Sequence, residues 1–215
     1  MTFDGGPARD CAVCARLVAF RTDNRAAFPD WWNGPVPSFG NADARLLIVG
    51  LAPGLKGANR TGRPFTGDYA GDLLYDTLVR FGFASGAYDR RPDDGLKLID
   101  CAIVNAVRCV PPQNKPTPAE ISACRTYLTR SIGALGRLEA VLALGRVAHE
   151  TVLRALGKRL AEHPFAHAAR HRLSAGGLLL FDSYHCSRYN TNTGALTEAM
   201  FRDVFAAIRT ELGRA

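Results

Sequence analysis

The chain has 215 residues, 47% hydrophobic and 22% charged, an ordinary globular composition with enough apolar material for a full core. No run approaches the ~20 apolar residues of a membrane span, and the opening MTFDGGPARD has no apolar segment of the signal-peptide kind, so one cytoplasmic domain over residues 1–215 is expected. The net charge of +7 favours a polyanionic partner, nucleic acid first, although only Lys56, Lys97, Lys115 and Lys158 among 27 basic residues are Lys, an Arg bias that a GC-rich genome also produces.

In chain order, residues 7–22 read as a short helix carrying Cys11 and Cys14. The polar and aromatic stretch FPDWWNGPVPSFG follows. Residues 45–51 (RLLIVGL) form an apolar run closed by Gly and Pro, and so a buried strand. A Gly-rich loop, 52–68, leads into helical spacing over 69–82 through Leu73, Leu74, Leu78 and Phe81. Residues 98–104 read as a second strand. The segment 117–135 reads as a helix with Thr117 as N-cap, Pro118 in the first turn and Glu120 completing a capping box. A third strand at 140–144, a helix over 145–156, a fourth strand at 178–181 and a last helix over 197–212 complete the chain. Short apolar strands alternating with helices predict an α/β sandwich with a mainly parallel four-stranded sheet. In such sheets ligands bind beyond the carboxyl ends of the strands, where the loops starting at Ala52, Asn105 and Ser183 should gather.

The first of these loops is not a nucleotide cradle. Gly50, Gly54 and Gly57 do not give G-x-G-x-x-G, and Lys56 is misplaced for G-x4-G-K-[ST]. Asn105 ends the second strand, and its amide offers a donor and an acceptor side by side; alone it would be read as a turn cap. His185 is the one His beside a strand end. Ser187, Arg188 and Asn190 after it are donors of the kind used on phosphate oxygens. His163, His167 and His171 recur every four residues, but Pro164 interrupts the pattern and no carboxylate partner joins them, so no metal is assigned to them. Six cysteines in a cytosolic chain are expected to be reduced. Cys11 and Cys14 form a C-x2-C pair, and Cys109 and Cys124 a C-x14-C pair. From spacing alone, zinc and an iron–sulfur cluster are both open. Cys101 is expected to be a small core residue.

GLAPG (50–54) and HCS (185–187) resemble the two motifs of the uracil-DNA glycosylase superfamily. The continuation NRTGRPFTGD and the ending YNTNTG are similar to its family 5, the type B branch. The C-x2-C pair and RCVPPQNKP…C resemble the cluster ligands of families 4 and 5. The resemblance runs from Cys11 to about Phe205. It departs at Cys186, where the motif usually has Pro. Ala52 stands where other branches carry an Asp or Asn that handles water, and family 5 shares that Ala. Some members have Asp near Asn59; an Asn there can hold a water but cannot take its proton at neutral pH.

The resemblance implies a three-layer α/β/α sandwich, a structural [4Fe–4S] cluster on Cys11, Cys14, Cys109 and Cys124, and hydrolysis of an N-glycosidic bond in DNA. The base must be flipped out of the duplex. Gly50, Leu51, Ala52 and Gly54 would line its pocket, Phe65 would stack on it, Asn105 would read its Watson–Crick edge and His185 would donate toward O2 as charge develops. Asn59 would hold the water, while Arg60, Arg63, Ser187, Arg188 and Asn190 would contact phosphates. The expected partners are double- and single-stranded DNA containing uracil or deaminated bases, with no membrane, and the chain is expected to be a monomer. Gly54 occupies the place of a Tyr that excludes 5-substituted bases in the strict uracil enzymes, so 5-substituted uracils and deaminated purines are expected substrates. The rival expectation is an iron–sulfur DNA-binding or redox-sensing module without chemistry.

Overall fold

The computed structural model describes residues 5–173 and 177–213. The chain runs α1 (Ala15–Ala27), β1 (Phe39–Gly40), β2 (Leu46–Gly50), α2 (Ala58–Thr61), α3 (Tyr69–Arg80), β3 (Ala84–Ser85), β4 (Lys97–Leu98), β5 (Cys101–Asn105), α4 (Pro118–Gly133), β6 (Ala140–Leu144), α5 (Arg146–Ala155), β7 (Arg170–Arg172), β8 (Leu179–Ser183), α6 (Arg188–Asn192) and α7 (Glu198–Leu212).

Strands β2, β5, β6 and β8 are each buried along their whole length, as their near-continuous apolar sequences require of a parallel sheet covered on both faces. They pair in parallel in the order β5-β2-β6-β8. Alternate residues serve opposite layers. Leu46 and Ile48 pack with Leu74 and Leu78 of α3 and Phe201 and Phe205 of α7. Leu47 and Val49 pack with Leu128 of α4 and Val152 and Leu153 of α5. The result is the expected three-layer sandwich.

Among the described residues the sheet has six strands rather than four. Short antiparallel strands β1 and β7 add to its two edges, and β3 and β4 form a separate pair. Two- and three-residue strands leave no periodic signature, so only their pairing reveals them. The first helix also differs from expectation. It starts at Ala15, because Cys14 is its extended N-cap, and both Cys11 and Cys14 precede it. The helix over 117–135 forms as expected, with both halves of the Thr117–Glu120 capping box present. No helix of the described residues is long and apolar enough to cross a membrane.

Because the four central strands are parallel, Gly50, Asn105, Leu144 and Ser183 end at one edge of the sheet. Backbone bonds from Ala106 N–H to Gly50 O (2.9 Å) and from Val107 N–H to Leu51 O (2.9 Å) extend the β2–β5 pairing into the loops beyond.

Candidate active site

At that edge an open cleft is lined by Leu51, Ala52 and Gly54 from the first loop, Phe65, Asn105, and His185, Ser187 and Arg188 from the last loop. Asn105 is 3% exposed. A Cβ on Gly50 would stand 2.5 Å from Asn105 Oδ1 and 2.6 Å from Phe65 Cζ, so the missing side chain at Gly50 makes room for both. Phe65 adopts the left-handed backbone region (φ 51°) that a bulky residue occupies only when its surroundings hold it there. Tyr88 Oη donates to its carbonyl at 3.1 Å. Its ring stacks near His185, with centroids 5.9 Å apart and planes 27° from parallel.

His185 is held from the other side by Asn190, whose Nδ2 donates to the His185 carbonyl at 2.8 Å. Burial lowers the His185 imidazole to about 4 from 6.5, so the ring is neutral near pH 7 and presents an N–H rather than a charge. The neighbouring Cys186 is fully buried with its thiol 3.5 Å from the Ala70 carbonyl; a small apolar-behaving residue there fills the space between β8 and α3.

The sequence reading missed Asp68, a carboxylate in the cleft lining. It caps α3, its Oδ1 accepting from Gly71 N–H at 3.2 Å. Its Oδ2 turns toward the first loop, where a Cβ on Gly57 would collide with it and one on Gly54 would stand 3.1 Å away. Desolvation raises its carboxyl above the usual range. The only signal in the sequence was FTGD, an Asp directly before a helical run, which reads as a plain N-cap. Asn114, from the loop between Cys109 and Cys124, also reaches the cleft.

Three expected roles are corrected, those of Asn59, Arg63 and Asn190. Asn59 is 1% exposed and is not among the cleft-lining residues. Its Nδ2 donates to Asn33 Oδ1 at 2.9 Å, which fastens α2 to the segment after α1. Arg63 is 5% exposed and spends its guanidinium on Asp94 in a two-pronged pair (2.8 and 2.7 Å), stacked near Phe39, Tyr75 and Tyr88. It is a core pillar and does not reach a phosphate. Arg60 is exposed in an adjoining groove with Trp31, Trp32, Arg90 and Arg91, beside the cleft-lining Gly67, so it keeps the surface position its expected phosphate contact requires. Asn190 likewise holds the His185 backbone, and the cleft lining carries Ser187 and Arg188 instead, followed in the chain by the 77% exposed Tyr189.

Cys11, Cys14, Cys109 and Cys124 line one small cavity, walled also by Leu17, Val107 and Tyr127. Arg21 Nη1 donates toward Cys109 Sγ at 3.9 Å and the Arg108 backbone N–H toward Cys124 Sγ at 3.4 Å. Burial pushes the Cys109 thiol up to about 12; thiolates gathered here are stable only around cations. Among the described residues, the one His/Cys/Asp/Glu group drawn within 4.8 Å is a different one, so the four sulfurs are spread wider than a single ion's shell. Four thiols around a cavity, with N–H donors aimed at two of them, fit an iron–sulfur cluster. Ala52 packs against this group, one residue layer from the cleft. Arg16 closes the assembly, pairing with both Glu120 oxygens (2.8 and 2.7 Å) across α1 and α4. Cys101 is a buried core residue at the start of β5.

The family model described as "Uracil DNA glycosylase superfamily" matches residues 37–209. The chain is 46% identical over 199 residues to a type-5 uracil-DNA glycosylase of Thermus thermophilus, covering 90% of each. It is 38% identical over 208 residues to a type-5 uracil-DNA glycosylase of Pyrobaculum aerophilum, covering 95% of this chain and 90% of the relative. A type-5 uracil-DNA glycosylase of Mycobacterium leprae is 43% identical over 203 residues, covering 91% and 88%.

Proposed function

The chain belongs to the uracil DNA glycosylase superfamily, and from that premise we propose how it works as a DNA-repair uracil glycosylase: its cleft takes a flipped base and breaks the bond to the sugar. The observation that carries this reading is the convergence of Phe65, Asn105, His185 and Asp68 on one cleft at the carboxyl edge of the sheet.

The extruded base stacks on Phe65, whose ring is fixed by its backbone and by Tyr88. The Asn105 amide pairs with the O4 and N3–H edge of uracil. As the C1′–N1 bond breaks, its electron pair moves to the base, and the neutral His185 N–H donates to the developing negative charge on O2. Water adds to the cation-like C1′, and Asp68, a stronger base for being buried, takes its proton. Free uracil and an abasic site result. Ser187 and Arg188 hold the flanking phosphates, and the exposed Tyr189 ring wedges into the space the base vacates. With Gly54 leaving the cleft open, 5-substituted uracils and deaminated purines enter as well, and selection rests on the cost of extrusion from a pair.

The Cys11, Cys14, Cys109 and Cys124 set holds a [4Fe–4S] cluster, which when bound supplies a covalent tie between the chain start and the 109–124 loop. Its thiols and the Arg21 and Arg108 N–H groups bind and orient it, and Ala52 carries that rigidity to the cleft.

The test is release of free uracil and formation of alkali-labile abasic sites from a uracil-containing duplex, compared with Asn105→Ala and Asp68→Asn. Wild type should form abasic sites and both variants should be slowed. Intact DNA after prolonged incubation with folded protein would leave only a DNA-binding role.

A further inference from the structure

Three residues before His185, Asp182 lies fully buried on β8 between two imidazoles. His149 of α5 brings Nδ1 to 2.7 Å from one carboxylate oxygen. His171 of β7 brings Nε2 to 3.1 Å from the other. The donor atoms of the three residues lie within 4.8 Å of one another. Proton bookkeeping limits what can sit between them. His149 Nε2 is 2.8 Å from the His163 carbonyl oxygen, which can only accept, so Nε2 carries a hydrogen. The atom left facing Asp182 is Nδ1, and with its ring's one neutral-state hydrogen already placed, a cation has to fill the gap: a second proton or a metal ion.

We propose that this group binds a divalent ion of the zinc class, with His149 Nδ1, His171 Nε2 and an Asp182 oxygen as ligands and water in the fourth position. Two imidazoles and a carboxylate are a usual donor set for such an ion. The bond from the far side of His149 to a backbone carbonyl is the tie that fixes a ligating imidazole in the right tautomer. A carboxylate with no exposed surface also needs more compensation than shared hydrogen bonds to neutral rings provide. The His171 side, 11% exposed in its side chain and flanked by the His163 ring at 5.5 Å, is the way in. The His163, His167 and His171 repeat is not itself the site; His171 alone joins it.

The ion would tie α5, β7 and β8 together next to the strand end that carries His185. Gly145, just before α5, already bonds its N–H to the Ser183 carbonyl at 2.8 Å. The site clamps the base of the His185 loop and does not touch the reacting base.

The test uses the full chain as purified, without a metal-affinity step, loaded with Zn²⁺ or Co²⁺. Wild type should take up one equivalent more than Asp182→Ala and His171→Gln. The extra Co²⁺ should show d–d absorption without a thiolate charge-transfer band, which separates it from metal on the cysteines. Zn²⁺ should raise the wild-type melting temperature and leave that of His171→Gln unchanged. His171 is partly exposed, so that variant serves if Asp182→Ala fails to fold. Equal uptake by wild type and His171→Gln, or extra cobalt carrying only the thiolate signature, would make the group a proton-sharing His–Asp–His network and overturn the proposal, whatever the outcome for uracil excision.

Discussion

The Oδ1 of Asn105 stands 2.5 Å from the point a Cβ on Gly50 would occupy. The glycine ending β2 and the amide ending β5 are register partners in the parallel pair, so the position of the proposed base-reading group depends on a side chain that is absent. Gly50→Ala should push Asn105 and Phe65 out of place while leaving the sheet intact. A misplacement approaching an ångström at a reacting group costs on the order of a hundredfold. Single-turnover uracil release should fall by about that factor with urea unfolding little changed. A variant cutting at the wild-type rate would show that Asn105 does not need its observed position.

His185 sets a pH dependence. Its folded pKa is lowered to about 4 from 6.5. The donor is therefore neutral from neutral pH down to roughly 5, and on its account excision should stay level over that range and fall only as pH approaches 4. The unfolded chain takes up this proton from about pH 6.5 downward while the native protein does so only near 4, so stability should decline as pH falls through that window. His185→Phe should remove that part of the slope and slow excision by roughly a hundredfold, the scale of one oxyanion-type donor. An excision profile that breaks at pH 6.5 would contradict the buried neutral imidazole.

Arg63 and Arg188 should part company. Arg188→Ala should weaken binding to undamaged DNA across all sequences and flatten the salt dependence by about one unit of slope. Arg63→Ala leaves the buried Asp94 carboxylate without its charge partner, held only by the Asp89 and Leu96 N–H groups, its carboxyl having been held well below the usual range chiefly by Arg63. It should cost roughly 3–5 kcal/mol of stability with no specific change in salt slope. Urea melts beside binding isotherms distinguish the two, and a stable Arg63→Ala protein with a reduced slope would return Arg63 to the DNA surface.

Gly54 combines selectivity with positioning. A Cβ there meets Asp68 Oδ2 at 3.1 Å, so any side chain also disturbs the carboxylate. Gly54→Ala should slow excision of every base by a similar factor. Gly54→Tyr should add a further loss confined to 5-substituted uracils, since a ring at that point fills the open side of the cleft. The comparison is uracil against 5-hydroxymethyluracil, each opposite G. Proportional losses on both bases in the Tyr variant would remove the steric argument.

The cysteine set predicts colour. Purified protein should be brown with about four irons per chain. Cys109→Ser should lose iron and folded yield together, because that thiol sits in the wall joining Leu17, Val107 and Cys124. One zinc without visible absorbance would replace the cluster with a single ion.

The sequence by itself determined the four central strands, the main helices and most of the cleft. Continuous apolar runs such as LLIV at 46–49 can only be strands covered on both faces, and parallel strands must deliver their following loops to one edge. The Thr117–Glu120 capping box was legible because both of its bonds lie within four residues. What only the tertiary structure decided were matters of partnership across long separations. Arg63 looks like a phosphate ligand until Asp94, 31 residues on, is found against it. Asn59 looks like a water holder until it is found outside the cleft lining with its amide N–H on Asn33. Asp68 looks like a plain helix cap until two glycines of the preceding loop prove to be small on its behalf. His149, His171 and Asp182 come together from a helix and two strands. Local rules read spacing along the chain, but whether a charged or amide side chain faces solvent, a ligand or a buried partner depends on which distant residue the fold sets opposite it.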